Sequence, residues 1–307
     1  MAITDGVINI NKPEGWTSQD VCAKLRHRLH IRRIGHTGTL DPMATGVLPV
    51  CIGKATRIIE YYDSDIKSYH AEMQLGIVTD TLDRTGEVLE EQSFVSVTEE
   101  MVRAAFRAYT GRIQQIPPKY SALKINGRRA YDLARSGESF DIKPRQITIY
   151  SNDIAVMDLD AGRIEFDVRC SKGTYIRTIC DDIGRELGCG AVMTALERTG
   201  SGYFGIGQSV GINEIVEMTD EEIAGLVIPM DETLVNLGKV VLNDNRIIAF
   251  SNGNPSDVGY KITQESRFCS EEDGNTRIYR VYGHDRFLGV GSISRGTLVP
   301  EKVITGN

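Results

Sequence analysis

The spacing of hydrophobic residues predicts both a helix and a strand in the first third of the chain. After Ser18, apolar residues recur every four positions from Val21 to Leu29 with basic residues between them, which predicts an amphipathic helix. In SYHAEMQLGI, every second residue from Tyr69 to Ile77 is apolar or aromatic. That alternation predicts a strand that turns Tyr69 toward the protein interior.

The middle of the chain continues this mixture of patterns. A helix is predicted after Thr98, IPPKYSALK (116–124) is expected to be an extended loop because of its prolines, and RRAYDLARSGE (128–138) is expected to be a short basic helix ending at Gly137. RIEFDVRC reads as a strand, and the SKG turn after it leads into a helix whose inner face runs from Ile176 to Leu187.

The last 70 residues have a different texture. After one short helix in RIIAFSNG, the segments RIYRVYG and RFLGVGSIS flank a Gly-His-Asp link, which predicts a β-hairpin. TLVPEKVI is expected to add a further strand. These patterns indicate a small β-rich domain from about residue 237 onward.

The overall composition limits the class of protein. The chain has 307 residues, 41% hydrophobic and 25% charged, which suits a soluble protein of about two domains. No apolar run approaches the roughly 20 residues of a membrane helix, and the N-terminus lacks the pattern of a secretory signal. None of the six cysteines, Cys269 included, belongs to a CxxC pair, and the five histidines do not have metal-ligand spacing. We therefore predict a cytoplasmic protein with reduced thiols and no bound metal.

Charge is distributed unevenly along the chain. The net charge is −7, but residues 21–59 carry seven basic side chains and one acid, and residues 112–146 carry eight basic and three acidic ones. Local balance decides binding, because charges more than about 8 Å apart are largely screened at physiological salt. Two basic faces on an acidic body are able to hold a polyanion such as RNA, although solvated helices would give the same pattern.

The single acid of the first basic stretch is the strongest candidate for chemistry. Asp41 stands in GHTGTLDPMATG, where Pro42 disfavours a helical conformation. With no acidic neighbour in sequence and many cations nearby, its carboxylate is expected to stay ionised, as a nucleophile must. A turn or cap residue is the alternative interpretation. Tyr175 and Arg177, at the strand–helix junction SKGTYIRT, are further candidates, since an arginine can bind a carboxylate with two hydrogen bonds.

Four segments together resemble the TruB-type tRNA pseudouridine synthases. They are NKPEGWTS (11–18), GHTGTLDPMATGVLPVCIG (35–53), IPPKYSALK (116–124) and CSKGTYIRT (170–178). That family converts the uridine at position 55 in the T loop of tRNA to pseudouridine. The resemblance implies an α+β fold: a catalytic domain (1–236) with a mixed, mainly antiparallel sheet and flanking helices, an RNA-gripping thumb insertion within it (112–150), and a PUA-like RNA-binding domain (237–307).

The resemblance also implies roles for individual residues. It places the nucleophile at Asp41, the arginine that pairs with it at Arg177, and the tyrosine that stacks on the target base at Tyr69. The remaining implied substrate-binding positions are His36, which inserts into the RNA where the target has left, Tyr175 and Leu196, which line the pocket, the nearby Arg198, and Lys12 beside Pro13.

The implied reaction needs no cofactor, because isomerising uridine breaks the N1–C1′ bond and rejoins the base through C5. The target must leave its stack, and aromatic stacking offsets that cost by about 1–3 kcal/mol per base. Arg177 is expected to lower the pKa of Asp41, and Leu196 to keep water out. The attacked atom stays open among ribose C1′, the 2′ proton and base C6. The expected partner is the T arm of tRNA, bound by a monomer that needs no other protein.

Three other functions remain compatible with the sequence. An RNA-binding or RNA-folding protein without catalysis would use the same basic faces. A guide-RNA-dependent pseudouridine synthase of the same superfamily would share the same site residues. A glycoside hydrolase would pair Asp41 with a second carboxylate, which the sequence does not identify. Substitution of Asp41 by Asn, and activity on bare tRNA transcript, would separate these functions.

Overall fold

The structure is a computed structural model, and it describes residues 5–62, 66–121, 123–125, 127–136, 138, 140–267 and 276–304. Cys269 and the predicted helix end at Gly137 lie outside the described residues. No helix in the described ranges combines the length and apolar character needed to span a bilayer. The elements of the first part of the chain are β1 (Gly6–Lys12), α1 (Ser18–Leu29), β2 (Ile34–His36), β3 (Thr45–Ile52), a 3₁₀ helix (Gly53–Tyr62), β4 (Lys67–Leu75), β5 (Ile77–Thr79), β6 (Val88–Glu91), α2 (Glu99–Ala108) and β7 (Gly111–Gln115).

The second part of the chain adds the remaining elements. They are β8 (Lys124–Ile125), β9 (Arg128–Arg129), α3 (Ala130–Arg135), β10 (Arg145–Asp158), β11 (Arg163–Cys170), α4 (Ile176–Glu186), β12 (Ala191–Ser201), β13 (Phe204–Gly205), a 3₁₀ turn (Ile206–Gln208), β14 (Val210–Gly211), α5 (Ile212–Glu217), α6 (Asp220–Leu226), α7 (Met230–Thr233), β15 (Gly238–Leu242), α8 (Asp244–Ser251), β16 (Tyr260–Gln264), β17 (Arg277–Gly283), β18 (Arg286–Ser294) and β19 (Thr297–Val303).

A mixed sheet organises the first 211 residues. Among the described residues, ten strands form it in the order β14-β1-β3-β12-β4-β11-β10-β7, with β2 beside β3 and β13 beside β12. The β1–β14 and β3–β12 pairs are parallel, and the other pairs are antiparallel. Apolar side chains of α1, α2 and α4 pack in one core with those of the sheet. The predicted α+β fold with a mainly antiparallel sheet is confirmed.

Several predicted elements are confirmed, with changed ends. Burial alternates along β4 as its sequence predicts, and Tyr69 is buried. The strand ends at Leu75 instead of Ile77, because Gly76 has a left-handed φ of +85° that turns the chain. The predicted helix at 128 begins only at Ala130, because Arg128–Arg129 pairs with Lys124–Ile125 as a short hairpin.

One segment leaves the sheet and returns to it at a neighbouring point. Gly111–Gln115 of β7 lies antiparallel to Arg145–Ile149 of β10, with Gln115 opposite Arg145. Residues 116–144, called the insertion below, connect these two strand ends outside the sheet. The predicted thumb at 112–150 therefore includes most of the edge strand β7 and the first residues of β10 as well as the insertion.

The C-terminal residues form a second sheet. Its order among the described residues is β16-β15-β17-β18-β19, and it encloses a small apolar core of its own. The predicted hairpin is β17–β18, and its turn residues His284 and Asp285 both have positive φ, as a tight hairpin turn requires. Ile278 and Val290 of this sheet also pack with Val7 and Val47 of the first sheet.

Candidate active site

A cavity of about 600 Å³ opens where the centre of the mixed sheet meets the start of α4. Six of the residues singled out from the sequence line it together. They come from the loop before β3 (Asp41), from β4 (Tyr69), from the start of α4 (Tyr175 and Arg177) and from β12 (Leu196 and Arg198). Lys12 and His36 lie outside the lining of this cavity.

Arg177 connects two carboxylates in the wall of the cavity. Its side chain is only 6% exposed, its Nη2 lies 3.4 Å from Asp41 Oδ2, and its Nη1 lies 3.4 Å from Asp83 Oδ2. The expected two-pronged pairing of Arg177 with Asp41 is therefore wrong. The guanidinium gives one nitrogen to each acid instead, and it also donates to the backbone carbonyls of Tyr120 (2.6 Å) and Thr81 (3.3 Å).

The expected electrostatics of Asp41 also need correction. Burial raises the pKa of Asp41 above its ordinary value of 3.8, and this effect outweighs the opposing influence of the Arg177 guanidinium. The negative charge of Asp83 raises the pKa further, whereas Lys12 lowers it. Asp41 therefore has an acidic neighbour in space, Asp83, and its pKa is raised instead of lowered. Its side chain remains 34% exposed toward the cavity, so a substrate can reach it.

Asp83 is a residue of this site that the sequence analysis did not single out. It lies in the segment TDTLDRTGE (79–87), and it is 4% exposed. Its Oδ1 accepts hydrogen bonds from the Thr81 hydroxyl (3.0 Å) and from the Thr85 amide (2.9 Å) and hydroxyl (2.6 Å), which leaves Oδ2 directed at Arg177. A buried carboxylate needs such partners. An acid flanked by threonines in a turn was the only sequence signal.

Arg198 fixes the backbone that carries Asp41. It is 2% exposed, and its guanidinium donates to the carbonyls of Val47 (2.6 Å), Gly38 (3.2 Å) and Thr39 (3.5 Å). Gly46 lies opposite Arg198 in the parallel β3–β12 pair with a φ of +97°, and a Cβ there would come within 2.3 Å of the Arg198 carbonyl oxygen. The glycine allows the close approach that brings the Asp41 loop onto β12.

Lys12 anchors the same loop from the opposite side. The side chain is fully buried, and its Nζ donates to the carbonyls of Trp16 (2.7 Å), Pro13 (2.8 Å) and Pro42 (3.2 Å), the last being the residue after Asp41. Burial lowers the pKa of Lys12 to about 8. Because all three ammonium hydrogens have carbonyl acceptors, Lys12 acts on the shape of the loop.

The aromatic and apolar wall of the cavity is formed by Tyr69, Tyr175 and Leu196. Tyr69 lies opposite Arg198 in the β4–β12 pair, bonds to the Arg198 guanidinium through its hydroxyl, and has a pKa raised by burial. Tyr175 is the residue before α4, and the Arg177 guanidinium lies 5.9 Å from its ring centroid. These side chains give the cavity the two flat surfaces and the apolar floor that a nucleobase needs.

His36 ends β2 at the margin of the site. Its Nε2 lies 3.1 Å from the Gln19 side-chain amide of α1, and burial lowers the pKa of the ring. The imidazole is therefore biased toward its neutral form, as an acceptor for that amide. Its place outside the cavity lining is compatible with contact to RNA beside the target nucleotide, as opposed to contact with the target itself.

A second cavity of about 410 Å³ lies on the far side of the Asp41–Arg177 pair, beneath the insertion. Tyr120 and Tyr131 form an edge-to-face pair in its wall, and the Arg135 guanidinium lies 4.7 Å above the Tyr131 ring. The insertion thus touches the site directly, because Arg177 donates to the Tyr120 carbonyl as well as to the acids.

Comparison with known proteins gives one consistent result. Residues 26–176 match the N-terminal domain of the TruB family pseudouridylate synthases, and residues 177–235 match the tRNA pseudouridylate synthase B C-terminal domain. The tRNA pseudouridine synthase B of Clostridioides difficile is 42% identical over 94% of this chain and 94% of that protein. The protein of the same name from Clostridium kluyveri is 43% identical over 94% of this chain and 95% of its own.

Solved structures agree with this result at lower identity. A chain from a Cbf5–Nop10–Gar1 complex superposes with a TM-score of 0.75 at 26% identity, covering 99% of this chain and 86% of its own. A chain from an H/ACA RNP bound to a substrate RNA containing 2′-deoxyuridine superposes with a TM-score of 0.74 at 25% identity, covering 100% of this chain and 87% of its own. With curated relatives above 40% identity across nearly its full length, this chain belongs to the TruB family of pseudouridylate synthases and is an isomerase.

Proposed function

We propose that this protein converts uridine 55 in the T loop of tRNA to pseudouridine, with Asp41 as the nucleophile and the target nucleotide turned out of the RNA into the 600 Å³ cavity. One observation carries the proposal: the Asp41 carboxylate, bridged to Asp83 by Arg177, faces a cavity walled by Tyr69 and Tyr175. The choice of tRNA as the substrate is supported by the relatives named tRNA pseudouridine synthase B.

The chemistry follows from the groups that surround the cavity. The Asp41 carboxylate supplies an electron pair to the bound nucleotide, and the bond between N1 and C1′ breaks. The freed base rotates, C5 bonds to C1′, any bond between Asp41 and the nucleotide breaks, the proton on C5 is released to solvent, and N1 takes up a proton from solvent. No atom is gained or lost overall, so the nucleophile must leave unchanged at the end of each turnover. Ribose C1′, the 2′ proton and base C6 are the three positions open to Asp41.

Turning the target nucleotide out of its stack costs a few kcal/mol, which the cavity must offset. Stacking on an aromatic ring contributes about 1–3 kcal/mol per base, and Tyr69 and Tyr175 both line the cavity. Leu196 adds an apolar side chain to the lining. Apolar lining strengthens the attraction between Asp41 and Arg177 and helps to keep water from competing for the reaction intermediate.

Arg177 and Asp83 act together in this proposal. Asp83 holds one arm of the guanidinium, so the other arm meets Asp41 in a fixed direction. Burial raises the pKa of Asp41, and the Arg177 guanidinium opposes this rise by favouring the ionised carboxylate that a nucleophile requires. Lys12 and Arg198 position the Asp41 loop through its carbonyls. His36 is proposed to occupy the space that the target nucleotide leaves in the RNA.

The remaining parts of the chain are assigned to RNA binding. Residues 1–236 form the proposed catalytic domain, residues 112–150 the thumb that grips the T arm, and residues 237–307 a PUA-like RNA-binding domain. We further propose that the enzyme works as a cytoplasmic monomer without an obligatory protein partner. The insertion carries an excess of basic side chains and reaches Arg177, so it is placed to bind phosphates close to the reacting nucleotide.

A guide-RNA-dependent enzyme is the second candidate, because the superposed chains come from H/ACA complexes. The curated tRNA enzymes are 42–43% identical, whereas those chains are 25–26% identical. This difference favours an enzyme that reads tRNA by itself.

The test is tritium release from an unmodified tRNA transcript carrying [5-³H]uridine, with purified protein and no other RNA. We expect release of one tritium per tRNA, and none from a transcript with cytidine at position 55. Tritium release from the cytidine transcript would contradict uridine 55 as the target. Activity only after adding a guide RNA would support the second candidate. RNA binding without any release would indicate a non-catalytic protein.

A further inference from the structure

The buried side chain of Gln115 binds both backbone polar groups of Tyr175, at the start of α4. Its Oε1 accepts a hydrogen bond from the Tyr175 amide at 2.9 Å, and its Nε2 donates to the Tyr175 carbonyl at 3.0 Å. Gln115 is 2% exposed and 60 residues away from Tyr175 in sequence. Both ends of the Gln115 amide are therefore used on the backbone of one cavity residue.

This contact gives the Tyr175 amide a partner at a helix start that lacks a side-chain cap. Tyr175 is the N-cap residue of α4, and its side chain makes no capping hydrogen bond. An uncapped helix start leaves backbone amides without partners. The Tyr175 carbonyl also accepts the amides of Thr178 and Ile179, so its direction sets the first turn of the helix. Gln115 thus fixes the backbone on both sides of the Tyr175 Cα, from which the Tyr175 ring and the first turn of α4 depart.

The position of Gln115 in the fold adds a second role. Gln115 is the last residue of β7, it lies opposite Arg145, and the insertion runs between these two residues. These two strand ends are the root of the insertion. The side chain of Gln115 is therefore a direct link between the root of the insertion and the aromatic wall of the cavity.

We propose that Gln115 is a positioning residue that holds the Tyr175 ring in its place for stacking on the target base. This inference rests on the proposed function. It predicts that Gln115 acts on the chemical step through Tyr175 and not through RNA affinity, because Gln115 itself does not line the cavity. A residue that only stabilised the fold would act equally whether or not the Tyr175 ring were present.

The experiment compares Gln115→Met, which keeps the length of the side chain but removes both hydrogen bonds, with Gln92→Met at an exposed glutamine outside the insertion and the cavity. Single-turnover rates on tRNA and RNA dissociation constants are measured in wild-type and Tyr175→Leu backgrounds. We expect Gln115→Met to lower the rate about 10-fold or more in the wild-type background, since small misplacements near the reacting atoms are costly, and to change the dissociation constant less than about 2-fold.

In the Tyr175→Leu background, Gln115→Met should lower the single-turnover rate by less than about 2-fold, because the ring that Gln115 positions is absent. Equal losses in both backgrounds would overturn the proposal. Gln115→Glu, which keeps the acceptor for the Tyr175 amide, should give an intermediate loss and serves if the methionine variant does not fold. Full activity of both variants would also overturn the proposal.

A readout independent of turnover separates this inference from the proposed function. In protein labelled with 3-fluorotyrosine, the ¹⁹F resonance missing from Tyr175→Phe is assigned to Tyr175. Gln115→Met should shift or broaden that resonance, and Gln92→Met should leave it unchanged. An unchanged resonance in Gln115→Met would contradict the positioning role even if the enzyme is active. If Gln115→Met shifts the resonance but the wild-type protein is inactive on tRNA, the result contradicts the proposed function and leaves the positioning role supported.

Discussion

The two sides of the cavity are held in different ways. The Asp41 side is a loop without helix or strand, yet the buried cations Arg198 and Lys12 bind its carbonyls at Gly38, Thr39 and Pro42, and the Ser18 hydroxyl accepts the Leu40 amide at 2.9 Å. The insertion side has short helix and strand segments, and bonds such as Arg128 with Glu138 join it to itself. It meets the site through the Tyr120 carbonyl, which accepts from Arg177, and through Ser121 and Leu123, which line the cavity.

The difference separates two tasks of one site. Under the proposed function, Asp41 must point in one direction before the substrate arrives, and the hydrogen bonds from buried cations to backbone carbonyls hold its loop in that direction. The insertion is proposed to grip RNA, and a segment with charged, exposed side chains is suited to that task. Arg177 belongs to both sides, because it binds Asp41 and Asp83 as well as the insertion.

The strongest way to break this arrangement is to remove the shared residue. Arg177→Lys should lower kcat/KM by at least about 100-fold, because a lysine ammonium is a point charge that cannot bind two carboxylates with a planar fork. Steady-state tritium release measures the effect. Arg185→Lys on the same helix, where the side chain is 69% exposed, is the matched control and should keep wild-type activity. Equal activities of the two variants would contradict the bridging role.

Removing Asp83 should have two effects of opposite sense. Asp83→Asn should lower kcat by about 10- to 100-fold at neutral pH, because Arg177 loses the group that orients it. The negative charge of Asp83 raises the pKa of Asp41, so its loss should lower that pKa. The acid limb of the pH–kcat profile, where Asp41 becomes protonated, should therefore move to lower pH. Exposed Asp167→Asn is the control, and an acid limb that moves upward would refute the coupling.

Lys12→Met tests the rigid side through stability. Three carbonyls lose their donor, so the free energy of unfolding should fall by about 2 kcal/mol at pH 7. Because the pKa of Lys12 drops from 10.5 to about 8 on folding, the unfolded chain holds this proton more tightly between those values. The stability of the wild type relative to Lys12→Met should consequently rise with pH across that window. Urea unfolding at several pH values, with exposed Lys261→Met as control, checks this.

The smallest effect is expected on the insertion side. Lys119→Gln with Lys143→Gln should weaken RNA binding only a few-fold at physiological salt. The plot of log affinity against log salt should flatten by about 0.7–0.9 for each phosphate contact that is lost. Exposed Arg107→Gln on α2 is the control. A slope equal to that of the wild type would show that these lysines do not contact phosphates.

Sequence patterns predicted the helices and strands that are determined by residues close together in the chain. The alternation of β4, the helix after Ser18 and the β17–β18 hairpin all depend on neighbouring residues, and each is found in the structure. The motif resemblance pointed to six residues that the structure places in the lining of one cavity: Asp41, Tyr69, Tyr175, Arg177, Leu196 and Arg198. Element ends were less well predicted, because Gly76 and the Lys124–Arg129 hairpin act through turn geometry instead of periodicity.

Long-range electrostatics could not be predicted in the same way. Asp83 meets Arg177 across 94 residues of sequence, and no periodic pattern announces that contact. Counting charges near Asp41 along the chain suggested a lowered pKa, but burial depends on packing, and burial dominates the observed rise. Lys12 was expected near the active site, and only the structure shows that its ammonium binds three carbonyls.

The central claim is that the Asp41 carboxylate performs the reaction. The most direct measurement is single-turnover tritium release by Asp41→Asn from [5-³H]uridine-labelled tRNA, beside a measurement of RNA affinity. We expect the rate to fall by at least about 10⁴-fold, because the isosteric amide cannot act as a nucleophile, while the dissociation constant stays within about 3-fold of the wild type. A rate near that of the wild type with intact binding would contradict the account.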